Sequence, residues 1–334
     1  MVRYFKLVPG GSDRMGFRAE VKREMTLDLE VREHVYHILD YSWRGAGPRM
    51  TLGQVGGKGG FLDYTGDPFS IDPTELDEIS FRFSTGVNCV GRFEDGGHIP
   101  CPGYRSADEF AQCMECLTID IPDPACVFEP HCNRGSCGAF FCQKPHVVYI
   151  SLFGTRPKVG MTQLDRILDR GTEQGADLIV PLLEAGDRYS ARAIEGAISR
   201  KLRVPQAHHP ATLLKAMSRK RDTNRAEVIV NGLIRRVKDS WTYLLRSVED
   251  LKVVSGPSEF DIEVFELGPY PLQEPLPYPP KMFRGSLLNG RVLGFKGKYM
   301  VFEHGGLKAF NLASAVGRFV HSRTDLSVFG MDPE

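Results

Sequence analysis

The chain has 334 residues, 42% apolar and 25% charged, with 42 Lys+Arg balanced by 42 Asp+Glu. That composition is ordinary for a soluble globular protein, and the length suits two or three domains with substantial cores. No stretch approaches the ~18 apolar residues of a membrane span, and the opening MVRYFKLVPGGSD lacks a signal-peptide apolar run. The expectation is a cytoplasmic protein with no membrane role.

The charges are unevenly spread. Residues 61–130 hold fourteen acids and three Lys/Arg, a balance of −11, whereas residues 200–246 hold twelve Lys/Arg and three acids, a balance of +9. Either segment could be a solvated face. The basic one equally suits a phosphate backbone, and the acidic one a protein partner.

In chain order, residues 1–85 carry short alternating runs (YFKLV, FRAEV, HVYHILDY, ISFRFS) broken by Gly, Pro and Asp, which predicts a β-rich N-terminal domain. Residues 86–145 hold all eight cysteines and little apolar material. From His146 the pattern predicts a β-hairpin, a helix, the strand DLIVPLL and the helix RYSARAIEGAISRKLR. ATLLKAMSRKR and the run from Asn224 to Leu251 are also helical in period. The Pro-rich connector Gly268–Pro280 leads to glycine-punctuated alternation, predicting a small C-terminal β domain within residues 251–334.

Clustered thiols in a chain without a secretory signal point to metal rather than disulfides. Cys113 and Cys116 form a C-x-x-C knuckle. The simplest division is two structural Zn²⁺ sites, Cys89, Cys101, Cys113 and Cys116 for one and Cys126, Cys132, Cys137 and Cys142 for the other. His98, His131 or His146 could replace a thiol, and an Fe–S cluster or disulfides are the alternatives. Zinc would also explain how a Gly/Pro-rich segment folds with so little core.

The segment VVY…KVG…R…E resembles the GIY-YIG nuclease fold. That fold opens with a hairpin carrying a tyrosine on each strand, followed by a helix with an arginine and a later helix with a metal-binding glutamate. The resemblance implies that Tyr149, Arg170 and Glu195 are catalytic, with Mg²⁺ at Glu195 and Arg166 as rival to Arg170. Lys158 stands where the second tyrosine would. A lysine cannot act as a phenol, but a buried one could serve as a base or neutralise phosphate. Each residue also has a plain reading: a cross-strand aromatic for Tyr149, a helix C-terminal charge for Arg170, an exposed helix charge for Glu195.

Across residues 89 to about 320 the order of motifs resembles an uncharacterised prokaryotic domain-of-unknown-function family. The matching positions are Glu129–Cys132 (EPHC, with the order of Pro and Glu swapped relative to the family's motif), His146–Tyr149, Lys158–Thr162, Arg170–Ala176 and Lys296–Tyr299. The resemblance implies that Lys158 belongs to the family pattern, and it supplies architecture rather than activity. The expected fold is therefore α+β: a β-rich domain (1–85), a cysteine-rich zinc segment (86–145), a GIY-YIG-like core with basic helices (146–250), and the connector with its β domain (251–334).

The function this predicts is a zinc-binding protein acting on nucleic acid, RNA rather than DNA, with tRNA or rRNA the expected class. The GIY-YIG-like phosphodiester-cleaving core is active, divergent or inactive. The expected nucleic-acid contacts are Arg200, Lys201, Arg203, Arg219, Lys220, Arg221, Lys296, Lys298 and Tyr299. The alternatives are an RNA- or nucleotide-modifying enzyme using Lys158, and a non-enzymatic RNA–protein assembly factor. Gln174 could read a base edge or sit in a solvent-facing turn.

Overall fold

A computed structural model describes residues 33–44, 47–56, 63–94, 97–103, 107, 111–117, 140–246, 251–260 and 262–331. The expected strands YFKLV and FRAEV lie outside them.

Period-two alternation builds the first strands. In β5 (Glu78–Phe83), Ile79, Phe81 and Phe83 point inward while Glu78 and Arg82 face solvent. β1 (His34–Arg44) and β2 (Gly47–Gly56) form a long hairpin, and β3 (Asp63–Tyr64) and β4 (Phe69–Ile71) both pair with β2. β6 (Arg92–Glu94) and β7 (Gly97–Ile99) make a separate two-stranded ribbon.

After the short helix α1 (Phe140–Gln143), β8 (His146–Phe153) and β9 (Arg156–Gln163) form an antiparallel hairpin. Helix α2 (Ile167–Gln174) ends at Gly175, which adopts the left-handed conformation at φ 74° that stops a helix. β10 (Leu178–Ala185) then returns antiparallel to β8. Helix α3 (Arg188–Leu202) is capped by Asp187, whose side chain accepts from the Ser190 amide at 2.7 Å. α4 (Pro210–Ala216) and α5 (Thr223–Arg246) follow. In α5, Ala226, Val230, Leu233 and Val237 fall at spacings of three and four and form its buried stripe.

β8 is buried at all eight positions because it is covered on both faces. Val148, Ile150 and Leu152 join α3 and α5 in one core, while Tyr149 and Phe153 join a second core with β1 and β5. β11 (Val253–Ser255) and β12 (Phe265–Glu266) add to β10.

The chain closes with β13 (Lys281–Met282), β14 (Leu287–Lys296), β15 (Tyr299–Glu303), β16 (Leu307–Asn311), β17 (Phe319–Ser322) and β18 (Gly330–Met331). The architecture is mixed α+β. The described parts of the segments expected as separate β domains, 33–85 and 251–331, are however joined: β5 lies between β14 and β17, and β17 also pairs with β1. One eleven-stranded sheet results. Pairing the two segments removes open edges that each would otherwise leave to solvent. Among the described residues, no helix is long and apolar enough to cross a membrane.

Candidate functional site

The β6–β7 ribbon folds the chain between Cys89 and Cys101 back on itself. Gly91 permits the entry turn at φ 78°, where a Cβ would come within 2.2 Å of the Ile99 carbonyl oxygen. Gln112 then ties the turn after Cys89 to the C-x-x-C knuckle, its amide nitrogen donating to the Gly91 and Cys116 carbonyls at 2.8 and 3.0 Å.

The Sγ atoms of Cys89, Cys101, Cys113 and Cys116 consequently lie within 4.8 Å of one another. Cys101 and Cys113 are 3.9 Å apart at sulfur. A tetrahedral zinc with ~2.3 Å bonds to sulfur spaces its thiolates by about 3.8 Å. The Gly91 and Cys113 amides donate to Cys89 Sγ at 3.4 and 3.2 Å, the polarity a thiolate needs. Burial pushes the Cys89 and Cys116 thiols up. A bound cation reverses that preference, so these four cysteines could hold a metal ion such as zinc.

His98 is not among the four ligands, since its Nε2 bonds the Val90 carbonyl at 2.6 Å. Of the second expected set, Cys126, Cys132 and Cys137 lie outside the described residues, as does His131. Cys142 is half-buried, with Arg188 donating to its sulfur at 3.9 Å. His146 is buried, its Nδ1 2.8 Å from the Lys144 carbonyl.

The second site forms on one face of the β8–β9 hairpin. Register pairs Tyr149 with Gly160 and Ser151 with Lys158, so all four side-chain positions share that face. Lys158 Nζ donates to Gln174 Oε1 at 2.8 Å, and Gln174 Nε2 donates to the Tyr149 hydroxyl at 3.0 Å. Gln174 is the last residue of α2, held there by the sharp turn at Gly175. The β14–β15 turn presses on it from behind: a Cβ on Gly297 would come within 2.4 Å of the Gly175 nitrogen. The Gly297 carbonyl accepts from Tyr41 at 2.7 Å and Trp43 at 2.9 Å. The KVG, QGA and KGKY segments therefore meet at one place.

Positive charge gathers there. Burial, then Arg170 and to a smaller extent Lys298, bring the Lys158 amine down to about 8 against the opposing pull of Glu195. Lys298 is also lowered, by burial and then by Arg170. Tyr149 is raised by burial, opposed by Arg170 and the Gln174 hydrogen bond. Arg170 is exposed and shares Glu173 with Arg166, at 3.4 and 2.6 Å.

Glu195, on α3, is buried, and its Oε2 accepts from Arg192 at 2.6 Å. Burial raises its carboxyl, with Arg192, Lys158 and a Gln206 hydrogen bond opposing. This donor set fits magnesium poorly: one carboxylate, already engaged, stands among cations. The single cluster of three or more candidate ligands among the described residues is that of the four cysteines.

The remaining expected contacts divide. Arg200, Lys201 and Arg203 are exposed at the end of α3, with Lys201 Nζ 4.0 Å from the Tyr243 ring centre. Arg219 and Lys220 are exposed after α4. Lys296 is buried, bonding Asp177 at 2.7 Å and Glu274 at 2.8 Å, and Arg221 reaches the same Asp177 at 3.0 Å. Tyr299 is buried beside Leu214, Met217 and Leu272. Of the KGKY residues, Lys298 alone has a charged side chain near Lys158. Sequence reasoning did not single out Asp177, Glu274 or Gln206. The aspartate directly after QGA was the one available signal, since a carboxylate beside a buried turn needs a partner.

The family described as "Protein of unknown function (DUF2797)" matches residues 77–320. That span includes the four clustered cysteines, Lys158, Gln174 and Lys298. No curated protein and no solved structure matches the chain.

Proposed function

The chain belongs to the DUF2797 family, whose description carries no activity, and from the geometry of its two sites we propose a zinc-binding protein that acts on RNA phosphodiesters. The observation that carries this reading is the chain Lys158–Gln174–Tyr149, closed around a lysine whose amine is lowered to about 8. An amine in that range is partly neutral near physiological pH and can accept a proton. Arg170 and Lys298 bring two further positive charges to the same amine, an arrangement suited to phosphoryl oxygens.

The order hairpin, helix, antiparallel strand, helix supports a GIY-YIG-like core for residues 146–202. The roles nevertheless shift. Tyr149 is 1% exposed, so it acts as a positioning residue that fixes Gln174, and through it Lys158. Lys158 is the base, and Arg170 and Lys298 bind the phosphate. Glu195 offsets part of the local positive charge, and no step is routed through magnesium. RNA is favoured over DNA because its 2′-hydroxyl is a nucleophile within the substrate: Lys158 takes its proton as the 2′-oxygen bonds to phosphorus, and the bond to the 5′-oxygen breaks, leaving a 2′,3′-cyclic phosphate and a 5′-hydroxyl protonated from water. When bound at the four cysteines, zinc supplies folding free energy to the segment preceding this centre.

The test is cleavage of total tRNA and rRNA by the zinc-loaded full chain in buffer free of magnesium. Wild type cuts, Lys158→Met does not, and the rate climbs as pH rises through about 8. Cleavage by Lys158→Met at the wild-type rate would overturn the assignment.

A further inference from the structure

A second basic surface adjoins the Lys158 centre. The turn between β8 and β9, together with the end of α4 and the residues after it, borders an open cleft of about 590 Å³, solvent-open space included. Thr155, Arg156, Lys215, Arg219 and Lys220 line it. The four cations are exposed, and none pairs with a carboxylate among the described residues. Asp222 is the one carboxylate of the lining, and it accepts from the Arg225 amide at 3.0 Å. Single unpaired cations are ordinary on a surface. Several around one concavity sum to a field that draws in a polyanion.

The turn is fixed rather than loose. Gly154 adopts φ 61°, and its amide donates to Asp177 Oδ2 at 2.5 Å, in the buried network that holds Lys296. That anchor sets the position of Arg156. Arg156 and Lys158 are two residues apart on β9 and share a face, so their Cα atoms are about 6.6 Å apart. Successive phosphates along a nucleic-acid strand have a comparable spacing. Lys215, Arg219 and Lys220 continue the positive track beyond Arg156.

We propose that this cleft seats the backbone of a single nucleic-acid strand, holding the phosphates that flank the one at Lys158. The substrate is then an oligonucleotide strand rather than a mononucleotide. This rests on the reading of Lys158 as a phosphodiester site and deepens it, because recognition runs through consecutive backbone charges.

The experiment is fluorescence anisotropy of the full chain with labelled single-stranded RNA and DNA, graded from dinucleotide to dodecamer, across a salt series. Affinity is expected to rise with length over the first few nucleotides and then level off, for both RNA and DNA. Each lost single-strand phosphate contact lowers the slope of log K against log salt by about 0.7. The triple variant Lys215→Gln/Arg219→Gln/Lys220→Gln should therefore lose about 2 in slope on the dodecamer and leave dinucleotide binding unchanged. Arg219→Lys should retain the wild-type slope. A triple variant with wild-type slope and affinity, binding that ignores strand length, or binding of RNA without DNA would each overturn the cleft. Cleavage lost in Lys158→Met beside an unaltered triple variant overturns the cleft and leaves the active centre standing. A reduced slope in the triple variant with no cleavage by wild type does the reverse.

Discussion

Gly160 lies directly across the β8–β9 hairpin from Tyr149, and a Cβ there would come within 2.5 Å of both the hydroxyl and the ring carbon that bears it. The glycine of KVG is thus the space that the phenol occupies. Gly160→Ala forces the ring to move, and moving it disturbs Gln174 and Lys158 together. Overpacking of this kind costs about 1–3 kcal/mol, against a smaller gain from restricting the unfolded chain. Urea unfolding should show a lower midpoint at unchanged slope, with RNA cleavage reduced more than RNA binding. An unchanged midpoint and rate would mean that the ring has another place to go.

The Lys158 amine supplies a pH signature. Its folded value of about 8 lies below the ordinary 10.5, chiefly through burial and then through Arg170. The unfolded chain therefore binds the proton more readily than the folded one. This group's contribution to stability rises between pH 8 and 10.5, is complete above 10.5, and is lost as pH falls to 8 and below. Lys158→Met removes that slope. Relative to wild type, its stability advantage should be larger at pH 7 than at pH 10 by about 1–2 kcal/mol, discounted for partial exposure. Urea titrations at the two pH values measure it, and parallel pH profiles would contradict a lowered amine.

At the cysteine cluster, Cys116→Ala should remove one equivalent of zinc per chain by elemental analysis. It should also expose residues 89–116 to limited proteolysis. Metal binding is folding free energy for such a segment, so a chelator should reproduce the proteolysis in wild type. Zinc content equal in variant and wild type would place the metal elsewhere.

Local patterns were legible wherever one physical rule dominates. Alternation gave ISFRFS as a strand, helical spacing gave RYSARAIEGAISRKLR, and C-x-x-C gave one half of the cysteine cluster. What was not legible depends on which segments meet. Nothing in GFKGKY or QGA alone indicates that Gly297 packs on Gly175, because that contact depends on pairings across more than a hundred residues. The joined sheet is similar: β5 reads as a strand, but its two neighbours come from the other end of the chain. Lys296 and Lys298 look equivalent in sequence, and only the fold puts one against Asp177 and the other near Arg170.

That pair gives the last prediction. Lys296 is buried, with Asp177 and Glu274 at 2.7 and 2.8 Å, while Arg221 alone would remain to both carboxylates in its absence. Removing one partner from such a network leaves carboxylate charge buried and undercompensated, which costs about 3–5 kcal/mol. Lys296→Met should therefore lower the urea midpoint strongly and leave the salt dependence of RNA binding unchanged in protein that remains folded. Lys298→Gln should do the opposite, because its ammonium is held at a cost by burial and by Arg170. Its stability should stay within about 0.5 kcal/mol of wild type. Its single-strand RNA salt slope should fall by about 0.7, the loss of one phosphate contact. Equal loss of binding in the two variants would make the whole β14–β15 turn a contact surface. Equal loss of stability would remove Lys298 from the phosphate site and leave Arg170 as its one exposed cation.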